Sequence, residues 1–350
     1  MRTVKVTLST AYEVKIGANL LEGLGAECAR VCRAERCAIV SDSHVWPLYG
    51  GKAEESLKAA GIEPVHFVFP AGEESKNGSV YLKLLNFLAE NSLTRSDCLI
   101  ALGGGVVGDM TGFAAATYLR GVAYIQVPTT LLAAVDSSVG GKTGIDLPAG
   151  KNLCGAFYQP WLVLCDTETL NTLPADVFRD GCAEVIKYGV LYDPELFACL
   201  TEAGMGFDRE AVIARCVELK RDAVEADEFD TGARMKLNLG HTIGHSVETQ
   251  SHFKISHGKS VAIGMAIVSR AGASYGFCDP ATRDSIIHIL EKFQLPVSCS
   301  YSAESLYHAA LSDKKRLGSK VNLIIPERIG FCRIVPTPVE ALQSFIEAGL

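Results

Sequence analysis

The chain has no uninterrupted apolar run of about eighteen residues, the length a helix needs to cross a bilayer. Its opening, MRTVKVTLSTAYEV, lacks the apolar core and small-residue cleavage site of a secretory leader, so a cytosolic setting is expected. Internal repeats and low-complexity linkers are missing as well. So is any excess of positive charge: 33 Lys and Arg stand against 40 Asp and Glu, a net charge of −7 at pH 7. That balance argues against general binding to nucleic acid or acidic membranes. No CxxC pair accompanies Cys28, Cys32 and Cys37. The twelve cysteines lie in apolar segments such as CAIV, CLIALG and VLCDT, where a reduced thiol behaves as a small hydrophobe. Neither a disulfide framework nor a structural zinc is expected from them. HExxH, the zinc-protease signature, is also absent.

What is present reads as ordinary globular protein, 48% apolar and 21% charged over 350 residues, a length that suggests two domains. RTVKVTLS and YEVKIG alternate with period two and predict an opening hairpin. CAIVSD, VHFVF, CLIALG, VAYIQV and WLVLCD read as buried parallel strands, with helix-length segments between most of them. That alternation predicts a doubly wound α/β layer with ligands at the carboxyl ends of its strands. After about Leu173 the pattern turns helical, apart from one late pair, KVNLIIP and GFCRIVP, that fits a small hairpin. The expectation is a Rossmann-like nucleotide domain over 1–173 and a mainly helical domain over 174–350.

LGGGVVGDM contains G-x-G-x-x-G at Gly103, Gly105 and Gly108, directly after an apolar strand. A dinucleotide fingerprint calls for an acidic residue about twenty positions on, and Pro128 stands there. Asp42, ending CAIVSD, occupies the place of a ribose-binding carboxylate instead. GGKTG fails as an ATPase loop, because the first glycine that motif needs is Asp136. The stretch PTTLLAAVDSSVGGKTG instead reads as a strand end, two hydroxyls on Thr129 and Thr130, a carboxylate, and a flexible cationic loop.

In LNLGHTIGHSVE, His241 and His245 are four apart and share one face of a helix. His257 follows in SHGKS, and Glu184 lies upstream in GCAEVIKYG. Two readings stand: a Zn²⁺-type site, or hydrogen-bonded helix histidines with His257 as a cap. Lys142, Lys151, Lys187, Lys220 and Arg234 lie in glycine-rich or otherwise distinctive settings. As a set beside a metal they point to a substrate with more than one anionic group; individually each fits a solvated surface residue.

PAGEESK, GGGVVGD, RGVAYIQVPTTLLAAVDSSVGGKTGIDLPAGKNLCGAFYQP, DTETLNTLP, GCAEVIKYG and LNLGHTIGHSVE…HGKSVAIGM together resemble the 3-dehydroquinate synthase family, from about residue 40 to 320. The resemblance implies an NAD-binding α/β domain, a helical metal-binding domain and a homodimer. It also implies conversion of 3-deoxy-D-arabino-heptulosonate 7-phosphate to 3-dehydroquinate and phosphate, in the shikimate pathway. NAD⁺ acts without net turnover through oxidation, phosphate elimination, reduction, ring opening and aldol closure. Zn²⁺ or Co²⁺ falls to Glu184, His241 and His257, which moves His245 to the substrate side. Substrate binding falls to Arg120, Lys142, Asn152, Lys187, Lys220, Arg234, Asn238 and His245, with Arg120 reaching a neighbouring subunit and Asp136 near the metal. His245, Lys187, Lys220 and Asp136 carry the catalytic expectation, and Lys314 or Lys315 closes the pocket. NAD⁺ falls to Asp42, to the loop Ala71, Gly72, Glu73, Glu74, Ser75 and Lys76, and to Gly104, Gly105, Val106, Val107, Gly108 and Asp109. Thr129, Thr130, Lys142, Lys151 and the turn Thr169, Leu170, Asn171 and Thr172 complete it. One departure is Asp146 in GID, where many bacterial members carry Asn; no chemistry is assigned to it.

Three rivals remain: another sugar phosphate cyclase, such as a valiolone or inosose synthase; a metal-dependent polyol dehydrogenase of the same fold; and a non-catalytic binding protein. Lys220, Arg234, Asn238 and His245 together favour a substrate with both carboxylate and phosphate. A dehydrogenase would release NADH.

Overall fold

The computed structural model describes residues 1–313 and 319–350. The chain divides into two compact units: Met1–Pro174 with Arg209–Phe229, and Ala175–Asp208 with Asp230–Leu350.

The first unit is built on a seven-stranded sheet of β1 (Arg2–Thr7), β2 (Ala11–Gly17), β3 (Arg36–Asp42), β4 (Glu63–Phe69), β5 (Cys98–Gly103), β6 (Ala123–Pro128) and β9 (Leu162–Asp166). Its order is β1-β2-β9-β6-β5-β3-β4. Only the β1–β2 pair is antiparallel; the rest of the sheet is parallel. Strands β5, β6 and β9 are buried along their whole length, as the unbroken apolar runs of their sequences require. Helices α1 (Leu24–Val31), α2 (Trp46–Ala59), α3 (Gly78–Glu90) and α4 (Gly105–Thr117) alternate with the strands. Two apolar clusters form the core, one including α1 and α2 and the other including α3 and α4.

Two features depart from the sequence reading. The segment expected as a flexible cationic loop is an antiparallel hairpin of β7 (Lys142–Leu147) and β8 (Gly150–Phe157). It is tied to the AGEESK loop, since the Asp146 N–H donates to the Lys76 carbonyl at 2.8 Å. The second departure is the span of the first unit, which takes in helix α7 (Arg209–Ala226) from the helical half of the sequence. Its end and the residues just after it serve the end of β1 and the turn that follows: Glu225 accepts from the Thr7 N–H at 2.6 Å, and Glu228 from the Ser9 N–H at 3.0 Å.

The second unit holds α5 (Ala175–Tyr192), α6 (Pro194–Ala203), α8 (His241–Gln250), α9 (His257–Ser274), α10 (Pro280–Lys292), α11 (Ala303–Asp313) and α12 (Leu342–Glu347). A two-stranded hairpin of β10 (Lys320–Arg328) and β11 (Phe331–Pro338) completes it. Helix α9 is buried along most of its length and α5 from Gly181 to Leu191, which marks them as the centre of the unit. Among the described residues no helix is long and apolar enough to cross a membrane.

Candidate metal centre and nucleotide loops

In the second unit three ligand atoms converge. Glu184, on the buried middle of α5, is fully buried. Its Oε1 lies 3.4 Å from His241 Nε2 and 3.3 Å from His257 Nε2. His241 opens α8 and His257 opens α9. Glycines bring these two helices together. A Cβ on Gly264 would lie 1.9 Å from the Gly240 carbonyl oxygen, and one on Gly244 would lie 2.9 Å from the Ser260 carbonyl oxygen. No larger residue permits that approach.

The outer nitrogens of both rings are engaged. His241 Nδ1 sits 3.0 Å from the Leu239 carbonyl, which can only accept, so Nδ1 carries the hydrogen and Nε2 turns its lone pair toward Glu184. His257 Nδ1 sits 3.4 Å from Glu248 Oε2. Ligating imidazoles are held in this way by carbonyls and carboxylates. Tetrahedral zinc ligands about 2.1 Å from the ion lie roughly 3.4 Å apart, and the nitrogen-to-carboxylate spacing here matches that value. The donor set therefore fits a divalent cation.

Lys187 Nζ, itself buried, lies 2.5 Å from Glu184 Oε2. Burial, followed by the Lys187 charge, pushes His241 down to about 3. For His257, burial also opposes the charged ring, but hydrogen bonds to Glu184 and Glu248 outweigh it and hold the ring up at about 10. The His245 ring centroid is 5.4 Å from that of His241 and 6.0 Å from that of His257. Arg234, buried, and Asn238, half-buried, lie on the short helix Ala233–Asn238 just before α8.

In the first unit the glycine loop is a strand-to-helix turn, with Gly104 as the N-cap of α4. Space around it is spoken for. A Cβ on Gly108 would lie 2.7 Å from Gln126 Oε1 of β6, one on Gly105 3.2 Å from Ser137 Oγ, and one on Gly104 3.1 Å from the Thr130 methyl. Gly104, Gly105 and Val106 stay half-exposed at the start of the helix, where N–H groups and the helix dipole favour an anion such as a pyrophosphate. Val107 belongs to the core instead.

Beside this turn, Lys76 Nζ donates to Asp109 Oδ2 and to Asn152 Oδ1, both at 2.6 Å. Lys76 is buried, which disfavours its charge, yet Asp109, Glu73 and Asp146 raise its affinity for the proton above the ordinary lysine value. Asn152 has a left-handed φ of 53°, and its N–H donates to Asp146 Oδ1 at 2.8 Å. Asp146 is thus the residue that holds Asn152 in a conformation asparagine tolerates better than most. The pattern of GID alone carried no sign of that role. Lys151 Nζ pairs with Glu73 Oε1 at 3.2 Å, with Ala71, Gly72 and Glu74 in the same loop.

Other expected nucleotide contacts are less open. Asp42 Oδ1 accepts the N–H groups of His44 at 2.8 Å and Val45 at 3.0 Å, which orients the carboxylate at the carboxyl end of β3. The hydroxyls of Ser75 and Thr169 donate to the carbonyls of Pro70 and Asp166. Leu170 is buried, so contacts by Thr169 and Leu170 would run through their backbone. Asn171 Oδ1 accepts from Arg209, and Thr172 Oγ1 lies 2.5 Å from Tyr49 Oη. Thr129 is buried, while Thr130 Oγ1 accepts the Ala133 N–H at 3.2 Å. Lys220, buried on α7, pairs with Asp136. Lys142 is exposed at the start of β7. Arg120 is exposed too, with a left-handed φ of 67° directly after Leu119 at 50°. Lys314 and Lys315 lie outside the described residues.

Comparison with known proteins bears on both units. Residues 66–180 match the 3-dehydroquinate synthase N-terminal family model, and 181–316 match the 3-dehydroquinate synthase C-terminal model. A 3-dehydroquinate synthase of Enterococcus faecalis is 43% identical over 354 residues, covering 99% of each chain. That of Geobacter metallireducens is 43% identical over 344 residues, covering 96% of each. Among solved structures, ValA, a 2-epi-5-epi-valiolone synthase from Streptomyces hygroscopicus with NAD⁺ and Zn²⁺ bound, superimposes with a TM-score of 0.89 at 26% identity, over 99% of this chain and 97% of that one. A 2-deoxy-scyllo-inosose synthase complexed with carbaglucose-6-phosphate, NAD⁺ and Co²⁺ shares the fold over the full length of both chains, with a TM-score of 0.91 at 24% identity.

Proposed function

The chain belongs to the 3-dehydroquinate synthase family, and from that premise we propose that it converts 3-deoxy-D-arabino-heptulosonate 7-phosphate to 3-dehydroquinate and phosphate. The observation that carries the site assignment is the convergence of Glu184, His241 and His257, whose ligand atoms lie within 4.8 Å of one another. When bound, NAD⁺ supplies a hydride acceptor that returns what it takes, and Zn²⁺ or Co²⁺ supplies a Lewis acid and a template for substrate hydroxyls.

The protein's own groups divide the remaining work. Glu184, His241 and His257 hold the metal, and the Leu239 carbonyl and Glu248 orient the two rings. Gly104 to Gly108, with the Lys76–Asp109 pair, form the nucleotide end, and Asp42 takes the ribose. Lys142, Asn152, Lys187, Lys220, Arg234 and Asn238 bind the carboxylate and phosphate of the substrate, where fixed cations favour two anionic groups at once. Oxidation of a ring carbon acidifies the neighbouring C–H, so phosphate departs by β-elimination without a strong base. His245, a half-buried imidazole beside the triad, moves the proton. Arg120, exposed in a left-handed conformation, serves a second copy of the chain in a homodimer. The setting is the cytoplasm, a reducing compartment consistent with twelve cysteines none of which is in a disulfide.

The deciding experiment follows free phosphate and reduced cofactor together, with this heptulosonate phosphate as substrate and with NAD⁺ and metal added or withheld. Phosphate release that needs both, with no net NADH, is the expected result. Accumulating NADH would assign the chain to the polyol dehydrogenases, and no phosphate release from this substrate would assign it to another cyclase.

A further inference from the structure

A second cluster of metal-ligating side chains lies in the first unit, within the core packed by α1 and α2. Cys28 and Cys32 are one turn apart on α1 and its C-terminal cap, and their sulfurs are 3.4 Å apart. Cys37 of β3 and Cys98 of β5 are direct partners in the parallel ladder. Cys28 Sγ lies 3.5 Å from Cys37 Sγ, and the sulfurs of Cys28, Cys32 and Cys98 all lie within 4.8 Å of one another. The helix and β5 thus gather three thiols, and Cys37 on the adjacent strand lies against Cys28.

From this convergence we propose that Cys28, Cys32, Cys37 and Cys98 form a thiolate site for one d¹⁰ thiophilic cation, Zn²⁺ or Cu⁺, separate from the Glu184 triad. Four sulfurs about 2.3 Å from one zinc lie roughly 3.8 Å apart, so the two shortest spacings are already close to those of a closed tetrahedral shell. An all-sulfur donor set selects zinc or cuprous copper over harder ions. Cys28, Cys37 and Cys98 are fully buried, while Cys32 is 6% exposed and borders a surface cleft of about 440 Å³. That cleft, which Arg33 and Arg95 also line, gives a path to solvent. The sequence offered only three of these cysteines as neighbours; the fourth is brought in by the pairing of β5 with β3.

The test uses the full chain, stripped with a chelator under reductant and titrated with Co²⁺ in place of Zn²⁺, and separately with Cu⁺ against a competing chelator. Two Co²⁺ equivalents are expected, with a sulfur-to-cobalt charge-transfer band that an imidazole–carboxylate site cannot produce. His257→Ala should lose one equivalent and keep the band. Cys28→Ser should lose the band while phosphate release is unchanged. Cys32→Ser, at the rim and milder for folding, should weaken the band-forming site by about tenfold or more, at least the loss typical of an outer-shell change. A Cu⁺ equivalent that disappears in Cys28→Ser supports the site equally. One Co²⁺ equivalent without a charge-transfer band, together with no Cys28-dependent Cu⁺ binding, overturns it.

Discussion

Lys220 Nζ donates to both the backbone carbonyl and the carboxylate of Asp136, at 2.5 and 2.7 Å. The pair joins α7 to the short π-helical turn Ala133–Ser137 inside the first unit. Lys220 is nearly inaccessible, while the Asp136 side chain keeps 21% exposure. Removing one partner of such a pair leaves a largely desolvated charge. Lys220→Met is therefore expected to destabilise the protein by about 3 kcal/mol in urea unfolding. A change below about 1 kcal/mol, the worth of an exposed pair, would show that water or another group takes over the carboxylate.

Metal uptake is expected to release a proton. At neutral pH His241 is unprotonated and His257, at about 10, is charged. A cation entering the triad must expel the His257 proton, so apparent affinity rises about tenfold per pH unit from pH 6 to 9. Calorimetry in buffers of different ionisation enthalpy should report one proton per ion, and a buffer-independent heat would contradict the assignment.

Gly264→Ala tests the approach of α8 to α9 without touching a ligand. Its Cβ would meet the Gly240 carbonyl, one residue before His241, at 1.9 Å. The helices must separate, at a cost of about 1–3 kcal/mol in stability, and metal affinity should fall in parallel. Loss of stability with unchanged metal affinity would mean the triad does not depend on this contact.

Lys76→Met should leave the half-buried Asp109 beside the glycine turn without its ammonium, and remove a donor from Asn152. NAD⁺ binding, followed by quenching of protein fluorescence, is expected to weaken at least tenfold, or about 1.4 kcal/mol. Metal content, set in the other unit, should stay unchanged. Loss of both together would contradict independent sites.

Arg234→Ala should raise KM and lower kcat/KM by an amount equal to about 2–5 kcal/mol if its buried guanidinium holds an anionic group. An effect smaller than about threefold, roughly 0.7 kcal/mol, would remove Arg234 from the substrate contacts.

In the first unit β1 and β2 were legible by their alternation. The central strands β5, β6 and β9 were legible because each is a short apolar run between turn signals, and burial on both faces leaves that mark in the sequence itself. The same holds for α5 and α9. By contrast, β7 and β8 carry glycines and polar residues that pack on neither core continuously, so the segment reads as loop until its antiparallel partner is in place.

Sequence alone determined the alternation of strand and helix, the helical character of the second half, and the residue types able to hold a metal and a dinucleotide. It did so because periodicity and donor chemistry are local properties. Tertiary structure decided the rest. His241 and His257, on different helices, meet on Glu184 because glycines let α8 and α9 approach. Arg209–Phe229 joins the first unit because the charges of Lys220 and Glu225 find partners there. Cys98 completes a thiol cluster because β5 lies beside β3. Each depends on pairings between distant parts of the chain, which no window of sequence contains.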